Sequence, residues 1–184
     1  MLRDLFILAL FATCTAQAQT KATLSDYMPE KQKKFIQIVG DYAEKYQAAD
    51  NQLKKSTIWK ERTKKLRETL TAKSNEKKGG WVGAIDSMGT TSSGKAWVVI
   101  RISPGITIST WNNELSDIGD KTLIQNGSAT YNALAELKPG AVVFFDCNLK
   151  PDGQALLEET KMLEPNFLAR FASIKPMPGA TVSK

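Results

Sequence analysis

The chain has 184 residues, 42% of them hydrophobic and 24% charged, with a formal net charge of +6. That length suits one domain with an appendage, and that composition excludes a disordered chain and a multi-span membrane protein. There is no histidine, which excludes histidine-based triads, histidine-ligated zinc and histidine proton relays.

The N-terminus opens with a weakly basic start at Met1 and Arg3, an apolar run from Leu5 to Thr13, and a small-x-small site at Ala16-Gln17-Ala18. The pattern predicts a secretory signal peptide over residues 1–18, and a periplasmic or secreted destination. A membrane anchor would need about 20 apolar residues, roughly twice this run. A lipoprotein signal on Cys14 would want a smaller residue than Thr13 before it and a Leu-like one where Phe11 stands. Cleavage after Ala18 removes Arg3 and Asp4, which cancel, and leaves Cys147 as the one cysteine. No intramolecular disulfide is then available, nor a cysteine-only metal site within one chain, and no cofactor is expected.

Residues 19–78 read as a basic helical segment and linker. Phe35, Val39, Tyr42, Tyr46, Ala49 and Leu53 recur at the alternating spacing of a coiled-coil seam, and Trp59, Leu66 and Leu70 resume it one residue out of phase. Pro29 suits a first helical turn. The spacing predicts one long amphipathic helix, about 65 Å at ~1.5 Å per residue, with a kink or hairpin near Ala48–Asn51 as the alternative. Such a stripe must be covered by the rest of the chain, by a second copy or by a partner. Lys54 to Lys78 holds ten basic and three acidic residues, whereas Gly79 onward holds nine basic and ten acidic ones. Lys54, Lys55, Lys60, Arg62, Lys64, Lys65 and Arg67 are therefore candidate contacts for an anionic partner, with a solvated helix face as the plainer reading. SNEKKGG, Ser74–Gly80, reads as the linker.

Beyond it the period changes to alternation. Strands are predicted at Gly80–Met88, with Gly83 a bend or bulge, at Lys95–Ser103 and at Ile106–Trp111. A polar loop follows, then a short helix capped by Ser128, with Tyr131, Leu134 and Leu137 on its apolar side and Pro139-Gly140 ending it. Ala141–Leu149 is the fourth strand and Gln154–Met162 the fifth, joined by a Pro151-Asp152-Gly153 turn. Asn166–Ile174 closes the domain, and residues 177–184 are a flexible tail. The fold class is thus α+β: a long N-terminal helix, then a five- to six-stranded barrel over residues 79–176. Three strands, one helix and two more strands is the order of the OB-fold, in which that helix plugs one end of the barrel.

Gly80-Trp81-x-Gly83, Thr110-Trp111-Asn112-Asn113, Asp117-x-x-Asp120-Lys121-Thr122, Gly127-Ser128 and Leu134-x-x-Leu137-Lys138-x-Gly140-x-x-Val143-x-Phe145 together resemble a family of small exported bacterial proteins of uncharacterised function. The likeness spans about Gln32 to Ile174. It implies an OB-like module behind a signal or helical segment, and it brings no catalytic residues with it. Asp146-Cys147 stands where members of that family carry Ser-Gly.

Trp97, Val99 and Arg101 share the outer face of the second strand, and Trp111 ends the third with Asn112 after it. Trp97, Arg101, Trp111 and Asn112 are candidate binding residues, since indoles beside a cation make a stacking platform. The competing arrangement, preferred on sequence, buries Trp97 and Trp111 beneath the N-terminal helix. Cys147 alternates with Val143 and Phe145, which points it inward and makes it inert. Glu114, Asp117 and Asp120 match no calcium loop and suit turn and cap chemistry. Glu158 and Glu159 are neighbours on a predicted strand, so they point apart and form no acid pair. The reading is a non-enzymatic exported binding module for a protein or an anionic envelope polymer. One alternative is an assembly protein that forms homo-oligomers through its helix; another is a single-stranded nucleic-acid binder.

Overall fold

The computed structural model describes residues 24–71, 80–150 and 159–181. The expected signal peptide, and all of the expected linker but Gly80, lie outside them. After a short 3-10 turn at Leu24–Tyr27 come two helices, α1 (Glu30–Ala48) and α2 (Gln52–Thr71). Five strands follow: β1 (Trp81–Thr90), β2 (Ala96–Ser103), β3 (Ile106–Ser109), β4 (Ala141–Leu149) and β5 (Asn166–Thr181). Between β3 and β4 lie α3 (Glu114–Asp117) and α4 (Ala129–Ala135).

The strands close into a barrel in the order β1-β2-β3-β5-β4. All neighbours are antiparallel except β3 and β5, which run parallel through Thr107↔Asn166, Ile108↔Phe167 and Ser109↔Leu168. The alternation read from β2 holds: Ala96, Val98, Ile100 and Ile102 are buried, and Trp97, Val99 and Arg101 are not. Side chains of successive strand residues point to opposite faces, so this one pattern both fills the barrel and sets what stands outside it.

Two sequence expectations for the strands are corrected. The irregularity of β1 falls between Ile85 and Ser87, not at Gly83. Gly83 is instead a close approach, since a Cβ there would lie 2.5 Å from Ile100 Cγ2 and 2.9 Å from the Arg101 carbonyl oxygen. The fifth strand is Asn166–Thr181, while Glu159–Lys161 of the segment expected to form it is a 3-10 turn and residues 154–158 lie outside the described part. Ala155, Leu156 and Leu157 run consecutively, whereas Phe167, Ala169 and Phe171 alternate and are buried. Residues 177–181, expected as tail, continue β5, and Met177 is buried.

The long helix is a hairpin. Ala49 leaves helical geometry with φ −73° and ψ 128°, and the Asn51 side chain accepts from the Lys54 amide at 2.9 Å, which caps the start of α2. The turn shifts the stripe, so that Leu53, expected in the seam, is 83% exposed. Phe35, Ile38, Val39 and Leu66 carry the buried face and join the barrel core. Phe35 packs on Trp81 and Phe167 with ring centroids 5.1 and 4.9 Å away. Buried Gln32 lies against the backbone of Val82, donating to its carbonyl at 2.6 Å and accepting from its amide at 2.8 Å. Thus α1 covers the mouth where β1 and β5 begin.

At the other end of β1, α4 sits beside Met88, Thr90 and Ala96. Ser128 accepts from the Tyr131 amide at 3.1 Å as expected of its cap, Leu134 is buried, and Tyr131 and Leu137 pack on the same core.

Candidate functional site

On the outer face of β2 and β3 a cleft of about 330 Å³ is lined by Trp97, Val99, Trp111 and Asn112, and by Ser87, Ser109, Thr110, Asn166 and Leu168. Trp97 lies across Gly89, its partner on β1: a Cβ at residue 89 would be 2.7 Å from the indole Cζ2. One face of the ring covers that glycine, and the ring is half-buried. The arrangement buried beneath the N-terminal helix is therefore corrected. The indole that packs under α1 is Trp81, at the start of β1 by that mouth; Trp97, paired with Gly89 near the far end of β1, and Trp111, beyond the end of β3, stand at the other end.

Trp111 is fixed by its loop. Its amide donates to the Thr122 hydroxyl at 2.9 Å and its indole Nε1–H to Asp120 at 2.8 Å. Lys150 lies 3.6 Å from the same carboxylate, and Arg170 donates to the carbonyls of Asp120 and Lys121. Beneath them buried Asp117 accepts from the amide and hydroxyl of Thr122 and from the amide of Leu123. Asp117 takes the turn role expected of it, whereas the side chain of Asp120 holds the Trp111 indole and Lys150 instead. Asn113 caps α3 by accepting from the Ser116 amide at 2.9 Å. Glu114 accepts from the hydroxyls of Ser93 and of Thr91, the latter at 2.8 Å, and so ties this loop to the β1–β2 turn. Those bonds, from Ser93 and then Thr91, hold its carboxyl below the usual range.

The chain matches no known family model, and no curated protein or solved structure is detectably similar to it. Its site is read from its own chemistry.

Of the expected platform, the cleft brings together Trp97, Trp111 and Asn112. Arg101 is not among its lining residues; its guanidinium lies 3.3 Å from Asp86 across the β1–β2 ladder. Ser87, Ser109, Thr110, Asn166 and Leu168 were not anticipated. Ser109 was legible as the strand neighbour of the outer face, while Asn166 and Leu168 depend on the β3–β5 pairing.

The basic residues of α2 do not form one patch. Lys60, Lys64 and Arg67 are exposed at positions four and three apart, which places them on one face. Lys54 is 2.9 Å from Asp50, Lys65 is 4.0 Å from Glu68, and Lys55 lies over the Tyr46 ring at 5.3 Å. Arg62, expected on the basic face, is fully buried; its guanidinium donates to the carbonyls of Lys161 and Met162, and burial pushes its pKa down to about 10. Its place on the helix, between Trp59 and Leu66, puts it on the stripe that docks. Cys147 is half-buried and packs on the core, and burial, with neighbouring Asp146, pushes its thiol up to about 12. A thiol held so far above neutrality carries no nucleophilic thiolate.

Proposed function

We propose that the chain is a non-enzymatic, exported binding module whose barrel is OB-like and whose ligand occupies the Trp97–Trp111 cleft. The OB reading is supported by the strand order, the parallel β3–β5 pair and the helix between β3 and β4. In that fold the face of strands two and three is where ligands bind, and here that face is a cleft between two indoles. A binding rather than a catalytic role is supported by the lining: indole, hydroxyl, carboxamide and aliphatic groups, none of which exchanges a proton near neutrality. Export rests on the leader read in residues 1–18, and the resemblance to exported bacterial proteins points the same way. The ligand class is an envelope polymer, with Lys60, Lys64 and Arg67 of α2 assisting where that polymer carries negative charge. Phe35, Val39 and Leu66 of the stripe that would drive assembly through the helix pack on the chain's own barrel, which favours the binding reading over assembly.

The observation that carries the proposal is the pair of half-buried indoles converging on one cleft. The test is intrinsic fluorescence of the full chain titrated with solubilised cell-envelope polysaccharide. The expected result is a saturable change, shifted to higher ligand concentration in both Trp97→Ala and Trp111→Ala. A change whose midpoint is the same in both variants as in the unaltered chain, or no change at all, removes the cleft as the ligand site.

A further inference from the structure

The chemistry of the cleft narrows its ligand, and this step rests on the cleft being the binding site. We infer that it takes an uncharged oligosaccharide, one sugar ring lying on an indole with its hydroxyls turned to the serines and asparagines around it.

Three classes of chain stack on tryptophan or lie along a barrel face, and the structure separates them. A peptide added as a strand needs a free sheet edge. Both strands flooring the cleft are paired on either side, β2 with β1 and β3, and β3 with β2 and β5. No row of backbone donors is left there for a peptide.

A single-stranded nucleic acid needs cations along its backbone as well as rings for its bases. None of the cleft's lining residues is charged. Arg101, on the same outer face of β2, is bound to Asp86 at 3.3 Å. Behind the wall, Asp120 holds the Trp111 indole at 2.8 Å and is itself met by Lys150 at 3.6 Å, while Arg170 is turned to the carbonyls of Asp120 and Lys121. A phosphate inside the cleft would find no cation among its lining residues.

A neutral sugar fits both halves of the lining. The C–H face of a pyranose is apolar and flat enough to lie on an indole, which offers a large rigid apolar surface at small entropic cost. Its hydroxyls both donate and accept. Ser87, Ser109, Asn112 and Asn166 each carry a group that does the same, whereas a phosphate only accepts. The volume, about 330 Å³, is at the small end of ligand sites, which suits a short run of a polymer. The platform is also prepared in advance. Trp97 is pressed on Gly89, and Trp111 is anchored by Asp120 and Thr122, so binding orders little that is not already ordered.

The experiment is fluorescence titration of the full chain with four neutral hexaoses (β-1,4-glucan, β-1,3-glucan, α-1,4-glucan and β-1,4-linked N-acetylglucosamine) and, separately, with oligothymidylate. Each is run at 50 and 300 mM salt. At least one hexaose is expected to saturate, with an affinity that changes less than about twofold between the two salts, because no counterions are released. Trp97→Ala or Trp111→Ala should weaken it about five- to tenfold, and the exposed Asn112→Ala about threefold without disturbing the fold. Arg101→Ala should leave it unchanged. Saturable binding of oligothymidylate that is lost in Trp97→Ala and falls about tenfold over the same salt range, as two neutralised phosphates require, overturns the sugar assignment and keeps the cleft. Failure of all four hexaoses also overturns it. Hexaose binding whose affinity is unchanged by both tryptophan substitutions overturns the cleft itself.

Discussion

Single side chains here act mostly by holding a neighbour still. Among the described residues Glu114 makes no ion pair within hydrogen-bonding reach, yet it joins its loop to the β1–β2 turn by accepting from Ser93 and Thr91. Its carboxyl is held below the ordinary value of 4.5 by those bonds. A group with a depressed folded value contributes stability that is complete above its unfolded value and is lost as pH falls through its folded one. Ligand affinity at the cleft is therefore expected to be flat from neutrality down to about pH 5 and to decline as pH drops below 4.5. Glu114→Gln should abolish that decline by leaving nothing to titrate at this tie, and a decline that persists in the variant assigns it elsewhere. The bonds of Glu114 were not legible in the sequence, because Ser93 and Thr91 meet it only when the β1–β2 turn folds over the loop. The capping roles of Asn113 and Ser128 were legible, since they act on amides three residues ahead.

Among the elements, the helical hairpin shows how a periodic pattern is cut. The heptad spacing runs through Leu53, but Asp50-Asn51 interrupts it, and a cap at Asn51 restarts the helix with a rotated face. The distinction is measurable. Phe35→Ala removes a ring enclosed by Trp81 and Phe167 and should cost about 3–5 kcal/mol in urea unfolding. Leu53→Glu, at a position 83% exposed, should change stability by less than about 0.5 kcal/mol. Equal large losses at both would restore the continuous seam. The barrel strands were legible where alternation was strict, as in β2, or where an apolar run followed a helix-ending Pro-Gly, as in β4, and illegible where two segments competed for one place. The alternation of Phe167, Ala169 and Phe171 is local, but the pairing of that stretch with β3 is not, because it is made with Thr107–Ser109, far back in the chain. The cleft inherits the same limit. Its β2 and β3 side was visible as an outward face, and its β5 side was not.

Over the whole molecule, the halves that composition separates are fused by one core. The charge excess sits on the hairpin and the segment after it, yet the hairpin's apolar face and the barrel interior form a single cluster closed at both mouths, by α1 and by α4. The order in which that closure becomes possible follows from β5. This strand pairs with β3 on one side and β4 on the other, and it brings Phe167 to Phe35. During synthesis the first long helix emerges with no surface to rest on, and its seat is not complete until the strand of residues 166–181 has been made. Contacts of such separation are slow to form. A chain ended at Met162 is expected to be digested by protease within the time the full chain resists, and to lack a cooperative urea transition; a resistant fragment containing Phe35 would show that the seat forms without β5. A nascent polypeptide built this way has its helices and first hairpins before it has a sealed interior, which waits on the last strand to leave the ribosome.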